Sequence, residues 1–73
     1  MQRPDEILAR VDSALKTHPH LRRVLVKSQH QEDRVVLSGS VDTFFLKQMA
    51  QEAVRDIPGV DEIDNQLSVD YLP

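Results

Sequence analysis

Cysteine is absent from this 73-residue chain, which removes disulfides, thiolate nucleophiles and cysteine metal sites and leaves the redox compartment open. Long apolar runs are absent as well. The opening stretch MQRPDEILARVDSALK lacks the apolar core of roughly 7–15 residues that marks a secretory signal. Nothing in the chain approaches the ~20 apolar residues of a membrane span. As given, the chain is expected to be soluble and cytoplasmic. If it is cut from a longer exported precursor, the periplasm or cell envelope is expected instead. Positive charge is also short: 9 Lys and Arg against 12 Asp and Glu give a net charge of −3, the wrong sign for neutralising nucleic-acid phosphates. Nucleic acid is therefore disfavoured as a partner.

Chemical signatures are missing in the same way. There is no G-x-x-x-x-G-K and no G-x-x-G, so neither a phosphate cradle nor an RNA clamp is written in the chain. Ser38 beside Gly39 is not part of G-x-S-x-G, and no histidine or acid has an evident place next to it. A chain of 73 residues is expected to form a single domain, residues 1–73. At this size it buries only about 60% of its unfolded surface and has roughly 4–11 kcal/mol of stability. A deep substrate pocket would consume core volume, so a binding surface is expected and an enzyme or a cofactor site is not.

The residues that are present are organised around Val35 to Val69. Val35, Leu37, Gly39 and Val41 alternate with Val36, Ser38 and Ser40, the period of a strand with one buried face. Asp42 is a candidate N-cap for a helix over Phe44 to Ile57. Pro58 and Gly59 stop that helix, Gly59 supplying a positive φ, and Ile63, Leu67 and Val69 resume a period of two. Upstream, Pro4, Asp5 and Glu6 suit a first turn, and Ile7, Leu8, Val11, Ala14 and Leu15 form one stripe of a helix ending by about Thr17. Leu21 to Gln29 reads as a strand, with Val24, Val26 and Ser28 on one face and Arg23, Leu25 and Lys27 on the other. His30-Gln31-Glu32-Asp33 contains no glycine, so a four-residue loop on a type I turn is expected in place of a tight primed turn.

This order gives the α+β class: αββαβ, a three-stranded mixed sheet with two helices packed on one face. The hairpin is antiparallel, and a right-handed crossover lays the third strand parallel to the second, which is central. The helices are expected to cover Val24, Val26, Val35, Leu37, Val41, Ile63 and Leu67 and to leave the other face to solvent. Gly39 falls on the covered side, where it would let a helix backbone approach.

Val35-x-Leu37-Ser38-Gly39-x-Val41-Asp42 before helix two, Ala50 and Ala53 within it, and Gly59-Val60-x-x-Ile63-x-Asn65-x-Leu67-x-Val69 after it together resemble the BON domain (bacterial OsmY and nodulation). The resemblance runs from Asp5 through Val69. It implies the αββαβ fold and a non-enzymatic module that binds phospholipid or a membrane interface, often in the periplasm or envelope. Some members act through protein partners instead, and self-association is a further option. The chain departs from the pattern at the hairpin, where the usual glycine is replaced around Asp33. It departs again at Phe44 and Phe45, positions usually small or polar, and in carrying no export signal.

Two clusters invite a metal reading. His18 and His20 flank Pro19, with His30 elsewhere, and without a partner at helical spacing they read as exposed turn residues. Asp61, Glu62, Asp64 and Asp70 are spread along a strand and lack a compact calcium loop, so they read as solvated charge. Two surfaces remain as candidates for a lipid or protein partner. Leu46, Ala50, Ala53, Val54 and Ile57 already supply a core stripe, which leaves Phe44, Phe45 and Met49, with Lys47 nearby, either to plug the end of the core or to form an exposed patch. On the hairpin's open face Arg23, Lys27 and Arg34, beside Leu25 and Val36, would meet an anionic headgroup or acidic partner, or simply solubilise.

Overall fold

The computed structural model describes residues 3–70. Helix α1 spans Pro4–Thr17 with the proline at its first position and Asp5 and Glu6 in its first turn, where negative charge meets the positive end of the helix dipole. Ile7, Val11 and Leu15 recur every fourth residue and are all buried. The helix stops where expected: His18, which precedes Pro19, has an extended backbone.

Leu21 does not open a strand. The His18 carbonyl accepts from Leu21 N (3.0 Å) and Arg22 N (3.1 Å), and the Leu21 carbonyl accepts from Val24 N (2.9 Å). These local bonds coil the chain after Pro19 and drop the Leu21 side chain into the core. Strand β1 therefore begins late, at Val26, and runs to Gln31.

Strand β2 is Arg34–Val41, paired antiparallel with β1 from Gln31↔Arg34 to Val26↔Gly39. That register draws His30 and Gln31 into the ladder and leaves only Glu32 and Asp33 in the turn, with φ of 47° and 64°. The hairpin is thus closed by the tight primed turn that its lack of glycine argued against. Two left-handed residues match the right-handed twist of paired strands, and that match, with the gain of ladder bonds, outweighs about 1–2 kcal/mol of steric cost per non-glycine residue.

Helix α2, Phe44–Arg55, is capped by Thr43, whose Oγ1 accepts from Leu46 N at 3.1 Å. Asp42, the expected cap, lies one residue too early. The helix also ends two residues before Ile57, because Ile57 precedes Pro58 and is disfavoured in the α region. Gly59 then turns the chain at φ 95°. Strand β3, Glu62–Val69, pairs parallel with β2 from Arg34↔Glu62 to Val41↔Val69, so the sheet order is β1-β2-β3. Helix α1 packs on β1 and on α2, and α2 packs on β3 and β2. Asn65 ties strand to helix: its Nδ2 donates to the Lys47 carbonyl (2.9 Å) and its Oδ1 accepts from Leu67 N (3.2 Å).

Ile7, Val11, Leu15, Leu21, Val35, Leu37, Val41, Ala50, Val54 and Leu67 form one core. Two expectations about the sheet need correction. The face away from the helices is not all open, since Val36, flanked by Gln29 and Asp64 in the register, is only 7% exposed. Gly39 does not admit a helix. It has φ +130°, and a Cβ there would sit 2.7 Å from the Leu25 carbonyl oxygen and 3.7 Å from Leu67 Cδ2. What approaches Gly39 is the backbone entering β1.

Candidate functional site

The Thr43 cap fixes where α2 starts and therefore which way its first side chains face. Leu46, Ala50 and Val54 take the core side, and Phe44 and Phe45 are left 63% and 52% exposed. Leu25, held beside Gly39 by its carbonyl, is 89% exposed. These three are the large exposed hydrophobic residues among the described residues.

They share one end of the molecule. Leu25 lines a cleft of about 270 Å³ with Val24, Val41, Asp42 and Leu46, which brings the entry of β1 against the start of α2. From the other side, the His20 ring meets the Phe45 ring edge-on at 5.2 Å and 87°, and His18 lies 5.7 Å from His20. The His20 backbone N–H donates to His18 Nδ1 at 3.2 Å, which fixes the short His18-Pro19-His20 turn against α2. Burying those apolar side chains would be favourable by roughly 1.5–3 kcal/mol for each fully covered residue.

The charges are segregated along the strands. From Ser13 to Gln31 the chain carries Lys16, Arg22, Arg23 and Lys27, all three histidines, and no aspartate or glutamate. Lys16 is partnered by Asp12 at 2.9 Å, whereas Arg22, Arg23 and Lys27 are exposed. Four acidic residues sit at the far end, where the Glu32-Asp33 turn and the Asp61-Glu62 entry to β3 lie either side of Arg34 in the register, while Asp42 and Asp70 lie at the near end. A net charge of −3 is therefore unevenly spread, with the exposed cations Arg22, Arg23 and Lys27 outnumbering Asp42 and Asp70 at the near end.

The expected site residues are divided by this geometry. Phe44 and Phe45 form the exposed patch, beside the half-buried Lys47, while Met49 is partly buried and packs against the core. Arg23 and Lys27 are exposed near Leu25, but Arg34 is not with them. Lys27 pairs with Ser38, Arg34 pairs with Gln31 at the opposite end of the ladder, and Arg34 Nε is buried without a hydrogen-bond partner. Leu25 joins the patch instead, and Arg22 is exposed in the coil that precedes it. The sequence signal for Leu25 is a leucine flanked on both sides by valine and then by cations, R-R-V-L-V-K, opposite the one glycine of the central strand.

Among the described residues no three metal-ligating side chains come together, and no helix is long and apolar enough to cross a membrane. What the fold and this end define is a small αββαβ domain with an apolar, cation-flanked tip. The family model of the BON domain matches residues 5–71, and the chain belongs to the BON domain family. It is a family of non-enzymatic binding domains. No curated protein matches the chain.

Proposed function

We propose that this chain is a non-catalytic module, a single domain over its whole length, that docks on an anionic phospholipid interface through the end formed by Leu25, Phe44 and Phe45. The observation that carries the proposal is the coincidence of those exposed side chains with the acid-free segment bearing Arg22, Arg23 and Lys27. Apolar insertion and cationic attraction are the two signals that membrane anchoring needs together. Scaled by their exposures, the three side chains contribute roughly 3–6 kcal/mol on full insertion, and each nearby cation adds about 1 kcal/mol on an anionic surface. Binding is therefore reversible and in the micromolar range. BON domains occur in periplasmic and envelope proteins, and an envelope membrane is the setting this reading favours.

The test is co-sedimentation with phosphatidylglycerol-containing and pure phosphatidylcholine vesicles at two salt concentrations, beside analytical ultracentrifugation without lipid. Anionic vesicles should pellet the protein more strongly, and salt should weaken the binding. Phe44→Ser with Phe45→Ser removes about 2–3 kcal/mol of insertion and should weaken binding at least 30-fold, while the folded circular-dichroism spectrum persists. Equal pelleting by the double mutant defeats the reading. So does a dimer without lipid that the double mutant turns into a monomer, which would assign the phenylalanines to self-association.

A further inference from the structure

A second cleft adjoins the first, sharing Val24 and Leu25. It opens between the last turns of α1 and the entry to β1 and measures about 180 Å³. Its walls are the aliphatic side chains of Leu15, Val24, Leu25 and Val26, and Asp12, Lys16 and Lys27 also line it. It exists because the coil after Pro19 sends Leu21 inward and swings Val24 and Leu25 back across the end of α1. Lys16 is engaged by Asp12. Lys27 forms no ion pair among the described residues and remains a free cation beside an apolar slot.

With Asp12 neutralised by Lys16, an aliphatic slot beside the unpaired Lys27 suits an alkyl chain ending in an anionic head. We propose that this cleft seats a single chain of an anionic amphiphile, with its head against Lys27. The inference rests on the lipid reading above and deepens it: the domain extracts contact with one chain in addition to lying on a surface. At about 30 Å³ for a water-sized group, the volume of about 180 Å³ takes an alkyl segment of about six carbons. That is far short of the roughly 300–1,000 Å³ of a pocket for a whole drug-sized ligand. The neighbouring cleft adds Val41 and Leu46 but also Arg23, Ser40 and Asp42, so a longer chain would meet a half-polar lining with a carboxylate in it.

The experiment uses monomeric butyl, hexyl and octyl phosphates below their micelle concentrations, followed by amide chemical shifts, with inorganic phosphate as control. Shifts should centre on Leu15, Val24, Val26 and Lys27. The dissociation constant should fall about fourfold for each added methylene, the equivalent of about 0.8 kcal/mol, up to about six carbons, and then level off. Lys27→Glu, at an exposed strand position, should weaken hexyl phosphate about fivefold or more while leaving the amide spectrum folded. Matching alkyl carboxylates identify the head: binding of either series supports the site. An affinity independent of chain length, shifts confined to Phe44 and Phe45, or equal shifts with inorganic phosphate would overturn the inference. Vesicle binding measured in the same buffer keeps the two readings apart, since intact vesicle binding without cleft shifts defeats only the seated chain.

Discussion

Replacing Gly39 by alanine adds a single methyl group, and the geometry makes that a severe change. The new Cβ would stand 2.7 Å from the Leu25 carbonyl oxygen, and the atom it meets is backbone, which cannot swing aside as a side-chain tip does. The residue would also have to hold φ at +130°, a conformation that costs a non-glycine residue about 1–3 kcal/mol. Forcing atoms into an occupied space adds about 1–3 kcal/mol more. The combined loss of about 2–6 kcal/mol compares with roughly 4–11 kcal/mol for a chain of this size. Even the lower value should depress the thermal midpoint by about 8–16 °C, measured by circular dichroism or calorimetry. Gly59→Ala is the comparison, because Gly59 is exposed in a turn with φ of 95° and bears the conformational cost without a neighbouring strand. If Gly39→Ala melts within 2 °C of the parent, or loses no more than Gly59→Ala, the close approach of Leu25 to Gly39 is refuted, and with it the reason Leu25 is held out to solvent.

Three further perturbations test the local geometry of the fold. Thr43→Ala removes the bond to Leu46 N and should cost about 0.5–2 kcal/mol, whereas Asp42→Ala should stay within about 0.5 kcal/mol; the reverse ranking in denaturant melts would return the cap to Asp42. Glu32→Asn with Asp33→Gly relieves two left-handed residues and should raise the thermal midpoint by several degrees. A lowered midpoint would contradict the primed turn. Asn65→Ala leaves the Leu67 N–H without its side-chain acceptor and cuts the tie to the Lys47 carbonyl, at about 1–3 kcal/mol; unchanged amide exchange at Leu67 would show that the tie is not formed.

Much of the fold is legible in the chain because the signals are local and repeated. The stripe of Ile7, Val11 and Leu15 and the alternation of Val35, Leu37 and Val41 each bury the residues that periodicity picks out. Pro19, Pro58 and Gly59 break the chain where their backbone chemistry requires. The failures occur where a local preference meets a longer-range demand. Glu32 and Asp33 carry weak turn signals, and the pairing of the flanking strands forces them left-handed. Leu21 looks like a strand residue, and the need to close the end of the core places it in a coil. Val36 alternates as a solvent-facing residue and is nonetheless covered on a sheet face lined with Gln29, Arg34 and Asp64. The exposed apolar end is legible only in part. Phe44 and Phe45 stand out as surplus to the core stripe of α2, but that Leu25 joins them, and that Arg34 does not, depends on register and on the backbone of Gly39.

The directions in which α1 and β3 run decide which end of the molecule each end of the described chain points to. Helix α1 travels toward the apolar, cation-flanked tip, so Arg3 sits about 21 Å behind it for a helix of 14 residues. Asp70 follows Val69, which pairs with Val41, and therefore emerges at the tip itself. On the proposed reading, a domain seated by that tip would hold Arg3 away from the membrane and Asp70 against it. A bulky fusion ahead of Arg3 would ride free of the bilayer, whereas the same fusion beyond Asp70 would prop the domain off the surface, so placement of a label on this chain is itself a choice between leaving the docking end open and obstructing it.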